Sequence, residues 1–144
     1  MERNRRGKDM DHVETAMKLH HQGYNCAQAV LCAFADDVGM DQKTMFRVGE
    51  GLGLGMGCMD GTCGALNAAC VLAGITKSTV DMERASSKGA TYRFTREMVK
   101  RFREKAGATA CADLKGRDTG VVMMACPDCV KTACELAEDV LGLK

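Results

Sequence analysis

Residues 25–38 read NCAQAVLCAFADDV and predict the helix around which the rest of the chain packs. Asn25 is a good N-cap, and the side chains that follow are apolar nearly all the way round a helix. A helix without a polar face has to be buried by its neighbours. We therefore expect a central helix from Asn25 to about Val38, closed by Gly39.

The apolar periodicity predicts further helices on both sides of this one, over 11–21, 41–49, 62–73, 78–106 and 126–141. Gly74 is expected to end the helix over 62–73, and a glycine-rich loop over 49–61 to precede it. In the last helix, at roughly 100° per residue, one face carries two cysteines and only apolar neighbours: Cys126, Cys129, Val130, Ala133, Ala137, Val140 and Leu141. We predict an all-α bundle of five to seven helices, forming a single domain over 1–144 with 1–10 as a flexible tail.

Composition limits the classes of function. The net charge of +1 gives no indication of a nucleic-acid or membrane partner. The N-terminal charges are not followed by the apolar run of a secretory signal, and no stretch is long and apolar enough to span a membrane. The expected location is the cytoplasm, where the nine cysteines stay reduced and serve metal binding or redox chemistry. An Ala-, Gly- and Met-rich face would also suit a homodimer.

Four cysteines are the candidate site. Cys26, Cys63 and Cys126 lie at predicted helix starts, and Cys111 lies in a short turn or helix. The unpaired N–H groups of a helix start favour the thiolate, which attacks disulfides and binds metals. We predict that these four thiols converge as catalytic residues or as metal ligands. Cys32, Cys70 and Cys134, on apolar helix surfaces, are expected to be packing residues.

Neighbouring residues extend the predicted site. Cys129 completes a Cys126-Pro-Asp-Cys129 motif, and Cys58 lies in the glycine loop. With Gly57 and Gly64, whose backbone can approach a group closely, they are the candidate cofactor-binding residues. A thioredoxin-like site would need a βαβ context, and c-type haem attachment would need a histidine after Cys129. Four thiolates would suit an iron–sulfur cluster, although the spacing is not that of a ferredoxin.

The histidines and the basic residues are weaker candidates for a functional site than the cysteines. His12, His20 and His21 could supply a metal ligand but are more typical of ordinary surface or cap positions. Six basic residues of the helix over 78–106 predict a solvated face: Arg93, Arg96, Lys100, Arg101, Arg103 and Lys105. No arrangement of residues indicates a hydrolase.

The stretch from Gly23 to Leu31, the glycine-rich loop followed by Cys63-Gly-Ala, and then Cys111 and Cys126 resemble the C-GCAxxG-C-C family. One departure is Ala68, which stands where that family's motif has glycine. The resemblance implies a small redox-active protein with four recurring cysteines, and it implies no settled substrate.

Three hypotheses follow. The first is a redox protein, an oxidoreductase or electron carrier serving an unknown redox partner, whose four thiols cycle between dithiol and disulfide or hold an iron–sulfur cluster. The second is a non-enzymatic helical protein in which the same thiolates hold a structural zinc ion. The third, weaker hypothesis is a helical interaction module whose cysteines only pack.

Overall fold

A computed structural model describes residues 10–144 and confirms the all-α class. These residues form eight helices, slightly more than expected: α1 (His12–His21), α2 (Cys26–Phe34), α3 (Gln42–Glu50), α4 (Gly53–Met56), α5 (Gly64–Lys77), α6 (Lys88–Ala106), α7 (Cys111–Lys115) and α8 (Cys126–Leu141). The described part contains no strand, only an isolated bridge between Thr62 and Ala110. The predicted tail over 1–10 lies, except for residue 10, outside the described residues.

Helix α2 is the centre of the fold, as its apolar surface predicted. It packs against α1, α3, α5 and α8, and Val30, Leu31 and Phe34 are completely buried. It ends at Phe34 rather than Val38, and a turn leads from there to Gly39, whose φ of 71° is left-handed. Burial of this helix on all sides fixes the position of its first residue, Cys26.

Helices α5 and α8 complete the core around α2. They pack against each other and against α6, and the predicted apolar face of α8 is buried at Cys129, Val130, Ala133 and Ala137. Each CH₂ group that is buried away from water contributes about 0.8 kcal/mol of stabilisation. The sum of these contributions holds such small-residue faces together. The core therefore fixes the N-terminal ends of α5 and α8, where Cys63 and Cys126 lie.

The first turn of α1 is fastened to α8 by a histidine. His12 stacks on Phe34 with ring centroids 4.0 Å apart, its Nδ1 lies 2.7 Å from Glu138 Oε2 and its Nε2 contacts Asp37 Oδ2. His12 is therefore a structural link between elements of the bundle.

Two further predicted helix boundaries are wrong. Gly74 does not end α5, which continues to Lys77; the backbone there stays helical because Ile75 still packs against the core. Helix α6 begins at Lys88, ten residues after the predicted start at Ser78. Its basic residues are exposed, as expected for a solvated face.

Side-chain hydrogen bonds explain the late start of α6. Ser78 Oγ accepts from the N–H of Val80, and Asp81 accepts from the N–H of Arg84 and from the Ser86 hydroxyl. Such local bonds give the backbone an alternative to the helical pattern. Val80 has a φ of 58°, so the segment before Lys88 is an irregular loop.

The glycine-rich stretch is more ordered than the predicted loop. Gly49 belongs to α3, and the four residues of α4 include Leu54 and Gly55 with left-handed backbone (φ 55° and 54°). A Cβ on Gly49 would lie 2.8 Å from the Gln28 nitrogen, and one on Gly55 would lie 2.5 Å from Cys111 Cβ. Glycine is needed here because α3 and α4 press against α2 and α7.

Among the described residues, no helix combines the length and the apolar character needed to cross a membrane.

Asn25 joins the start of α2 to the glycine stretch, so we expect Asn25→Ala to destabilise the fold by roughly 1–3 kcal/mol. Its side chain accepts from the Gln28 N–H (2.8 Å) and donates to Gly49 O (3.3 Å) and Glu50 O (3.0 Å). Urea unfolding measures the change. Asn25→Asp keeps the acceptor and loses the donors, so its free energy of unfolding should lie between those of the wild type and Asn25→Ala. Equal stability of all three proteins would contradict this role.

Candidate thiol site

The four predicted cysteines all lie at helix starts. Cys26, Cys111 and Cys126 are the first residues of α2, α7 and α8, and Cys63 is the N-cap of α5. The N-cap of α8 is Ala125. At the starts of α2, α5 and α8, the unpaired N–H groups and the helix dipole favour negative charge on sulfur.

Backbone pairing brings the segments of Cys63 and Cys111 together. The N–H of Cys63 donates to Thr109 O at 2.8 Å, and the N–H of Cys111 donates to Gly61 O at 2.9 Å. These bonds flank the bridge between Thr62 and Ala110. Two helix starts that are far apart in sequence are thereby held side by side, an arrangement that helical periodicity does not reveal.

One cavity of about 170 Å³ collects all four of these cysteines and a fifth, Cys129. The residues that line it are His20, Asn25, Cys26, Leu54, Cys63, Gly64, Cys111, Leu114, Lys115, Met124, Cys126 and Cys129. Of the candidate cofactor-binding residues, Gly64 and Cys129 line the cavity. Gly57 and Cys58 do not, and Cys58 is exposed. Cys32, Cys70 and Cys134 also lie outside the cavity lining.

Cys26 and Cys126 form a hydrogen-bonded pair. The Cys126 thiol lies beside the Cys26 sulfur, and the backbone N–H groups of Leu54, Ala27 and Ala65 also favour a charged Cys26. The donated hydrogen bond from Cys126 is the main reason why the pKa of Cys26 falls from 9.0 to about 6, although burial opposes the shift. The same hydrogen bond, together with burial, raises the pKa of Cys126. Near neutral pH the pair holds one thiolate and one thiol.

Cys63 and Cys129 form a second pair of the same kind. Interaction with Cys129 lowers the pKa of Cys63, against the effect of burial, and the same interaction raises the pKa of Cys129. The Cys129 sulfur also contacts the Met124 carbonyl oxygen at 3.9 Å. Backbone N–H groups of Leu66 and Ala65 also point to Cys63. Cys111 is not in such a pair, and burial raises the pKa of its thiol. The five cavity cysteines are thus two thiol pairs and one further thiol.

His20 and Lys115 are the two basic side chains of the cavity lining. His20 Nε2 lies 3.5 Å from Cys126 Sγ, and burial, followed by the charge of Lys115, lowers the pKa of His20. The sequence indicated for His20 a surface or cap position or a metal ligand, and it predicted no role for Lys115. A signal for Lys115 was present in its spacing, because residues four apart on a helix share a face and Lys115 follows Cys111 by four.

The pKa of Cys26 gives a pH-dependent prediction. We expect the ultraviolet absorbance of the thiolate, taken as the difference between wild type and Cys26→Ser, to rise with a midpoint near pH 6. Cys126→Ala should move the midpoint upward because it removes the main hydrogen-bond donor, whereas Cys126→Ser retains an O–H donor and should move it less. A wild-type midpoint near the ordinary value of 9.0 would contradict the pairing.

The same shift affects stability with a definite sign. Between about pH 6 and the ordinary value of 9.0, the unfolded chain still binds the proton that Cys26 has lost in the native protein. The free energy of unfolding should therefore rise with pH across this window, and this contribution is lost as the pH falls through 6.

Metal binding by the same residues requires both suitable donor atoms and a suitable arrangement of them. Thiolates are suitable ligands for zinc and for iron–sulfur clusters, so the donor chemistry fits. The arrangement does not, because within residues 10–144 no three His, Cys, Asp or Glu side chains are positioned to hold a metal ion. Metal ligation by Cys26, Cys63, Cys111 and Cys126 stays a prediction.

Residues 24–140 match the protein family described as "Putative redox-active protein (C_GCAxxG_C_C)". The chain belongs to this family. The C_GCAxxG_C_C match includes all five cavity cysteines and confirms the resemblance seen in the sequence. Ala68, the departure from the motif, is fully buried in α5. No curated protein and no solved structure matches the chain.

Proposed function

We propose that this protein is a thiol–disulfide redox protein in which Cys26 and Cys126 form the reactive dithiol couple. The observation that carries the proposal is that Cys26 and Cys126 line the wall of one cavity, where each shifts the pKa of the other. Two neighbouring sulfur atoms need little movement to form a disulfide. Membership of a redox-active family supports the same class of chemistry.

The exchange can be written as two displacements. The Cys26 thiolate attacks one sulfur of a substrate disulfide, forming a mixed disulfide and releasing the other substrate half as a thiolate. Cys126 then loses its proton and attacks the Cys26 sulfur, which forms the Cys26–Cys126 disulfide and releases the second half. The substrate disulfide gains two electrons, the proton of the Cys126 thiol and one proton from solvent, and becomes two thiols, while the protein pair loses two electrons and one proton.

The second pair extends the capacity of the site. Cys63 carries the lowered pKa and Cys129 the raised one, so the pair repeats the division between an attacking and a resolving thiol. It can reduce a Cys26–Cys126 disulfide by the same exchange and become a disulfide itself.

We place this chemistry in a reducing compartment such as the cytoplasm, where all nine free cysteines remain thiols.

An iron–sulfur cluster is the second candidate. The observation in its favour is that backbone N–H groups of α2, α4 and α5 point to the sulfurs of Cys26 and Cys63, as they do in cluster sites where hydrogen bonds to sulfur tune the potential. Structural zinc held by the same thiols is the remaining alternative. Both require the sulfurs to leave their thiol pairs and surround a metal.

Anaerobic purification separates these functions. We expect colourless, metal-free protein that loses two or four titratable thiols on treatment with a mild disulfide oxidant and regains them with a reductant. Cys70→Ser is the control, because this half-buried cysteine of α5 does not line the cavity and its loss should leave the reversible thiols unchanged. Brown protein with stoichiometric iron and sulfide, or colourless protein with stoichiometric zinc, would overturn the dithiol proposal.

A further inference from the structure

Lys115 brings a positive charge to the thiol cavity. It ends α7, lines the cavity and is partly buried. No carboxylate within residues 10–144 forms an ion pair with it. The neighbouring lining residues Leu54, Leu114 and Met124 are apolar. A partly buried ammonium loses hydration. The Cys26 thiolate in the same cavity offsets part of that cost, and an anionic group that enters the cavity and reaches the ammonium offsets more of it.

The dimensions of the cavity restrict what that anion can be. Its volume of about 170 Å³ is below the range of about 300–1,000 Å³ that holds drug-sized ligands. Cys26 and Cys63 are only 6% and 5% exposed, so the folded surface of another protein cannot bring a disulfide to them. A small molecule can enter the cavity and reach these sulfurs.

We propose that the substrate is a low-molecular-weight disulfide that carries a carboxylate or a similar anionic group close to its sulfurs, and that Lys115 is the counter-ion that selects it. This inference rests on the proposed dithiol function. The anionic group is placed beside the Lys115 ammonium while the Cys26 thiolate attacks the nearer sulfur. Two electrons and the Cys126 proton pass from the protein pair to the substrate, a second proton comes from solvent, and the substrate leaves as two thiols that each keep their anionic group.

Three disulfides of similar size test this selectivity: dithiodiglycolate (dianionic), hydroxyethyl disulfide (neutral) and cystamine (dicationic). Each second-order rate constant for the reduced protein is divided by that of mercaptoethanol with the same disulfide, which removes differences in intrinsic reactivity. We expect dithiodiglycolate to be fastest and cystamine slowest. Lys115→Met should reduce the ratio of dithiodiglycolate to hydroxyethyl disulfide by about tenfold or more, as expected for losing one partly screened charge pair.

Two matched variants control for other effects of the substitution. Lys115→Arg keeps the charge and should keep most of the preference for the dianion. Lys131→Met removes a lysine from the exposed face of α8 and should leave every ratio unchanged, which excludes an effect of net charge alone.

The outcomes separate this inference from the function on which it rests. If the protein reduces all three disulfides with the same normalised rate, or if Lys115→Met slows all three equally, Lys115 acts only on the thiolate and the selectivity inference is overturned while the dithiol function stands. If none of the three is reduced and no protein disulfide forms, the dithiol function itself fails.

Discussion

Cys26→Ser is expected to abolish disulfide reduction, leaving only the background rate of exchange between free thiols. The reason is that Cys26 supplies the thiolate: it receives the Cys126 hydrogen bond and three backbone N–H groups, and its pKa falls to about 6. Serine at the same position has no comparable anionic form at neutral pH. Cys126→Ser should behave differently, because the first displacement still occurs and the resolving thiol is missing.

Mass spectrometry of the intact variants distinguishes the two roles. After reaction with hydroxyethyl disulfide, Cys126→Ser should carry a stable mixed disulfide on Cys26, whereas Cys26→Ser should carry none at that position. Cys32→Ser, which changes a buried cysteine of α2 outside the cavity, provides the control and should retain wild-type turnover. A mixed disulfide that accumulates on Cys126 in the wild-type protein would reverse the assignment of attacking and resolving thiols.

Gly64→Ala is expected to lower the free energy of unfolding by about 1–3 kcal/mol, as overpacking does in a well-packed interior. A Cβ on Gly64 would lie 2.6 Å from the Leu52 carbonyl oxygen and 2.7 Å from Cys26 Sγ. These contacts can be relieved only if the turn that leads into α4 moves or if the Cys26 sulfur moves. We therefore also expect slower disulfide reduction in the folded variant.

Gly74→Ala is the matched control in the same helix. Apart from its chain neighbours and the nearby backbone of its own helix, no atom lies within 4 Å of a Cβ at that position, so the substitution should stabilise α5 by roughly 0.5–1 kcal/mol through the entropy of the unfolded chain. Urea unfolding of both variants measures the contrast. Equal effects of the two substitutions would show that close contact at Gly64 does not decide the packing of the site.

The sequence predicted the fold class and the central helix well, because both depend on local patterns. The apolar surface of α2 and the apolar face of α8 follow directly from helical periodicity. The start of α6 could not be predicted from that pattern, since the segment before Lys88 is kept out of the helix by hydrogen bonds of Ser78 and Asp81. The continuation of α5 past Gly74 likewise depends on tertiary packing.

In the candidate site, too, the features that depend on local sequence could be predicted, and those that depend on long-range contacts could not. Helix-start positions singled out Cys26, Cys63 and Cys126, because capping signals are local. The pairing of Cys63 with Cys129 and the position of Lys115 in the cavity depend on the bridge between Thr62 and Ala110 and on the packing of α5 against α8. These are contacts between distant segments. The four-residue spacing places Lys115 on the same face as Cys111, but no spacing brings either residue to the starts of α2, α5 and α8.

Disulfide mapping tests the central claim most directly. The reduced protein is treated with one equivalent of hydroxyethyl disulfide, its remaining thiols are alkylated under acid conditions, and the peptides are identified by mass spectrometry. The thiol pair found in the cavity predicts a Cys26–Cys126 disulfide as the first product. A disulfide within the Cys126-Pro-Asp-Cys129 motif, or nine alkylated cysteines with no disulfide, would contradict the claim that Cys26 and Cys126 are the reactive couple.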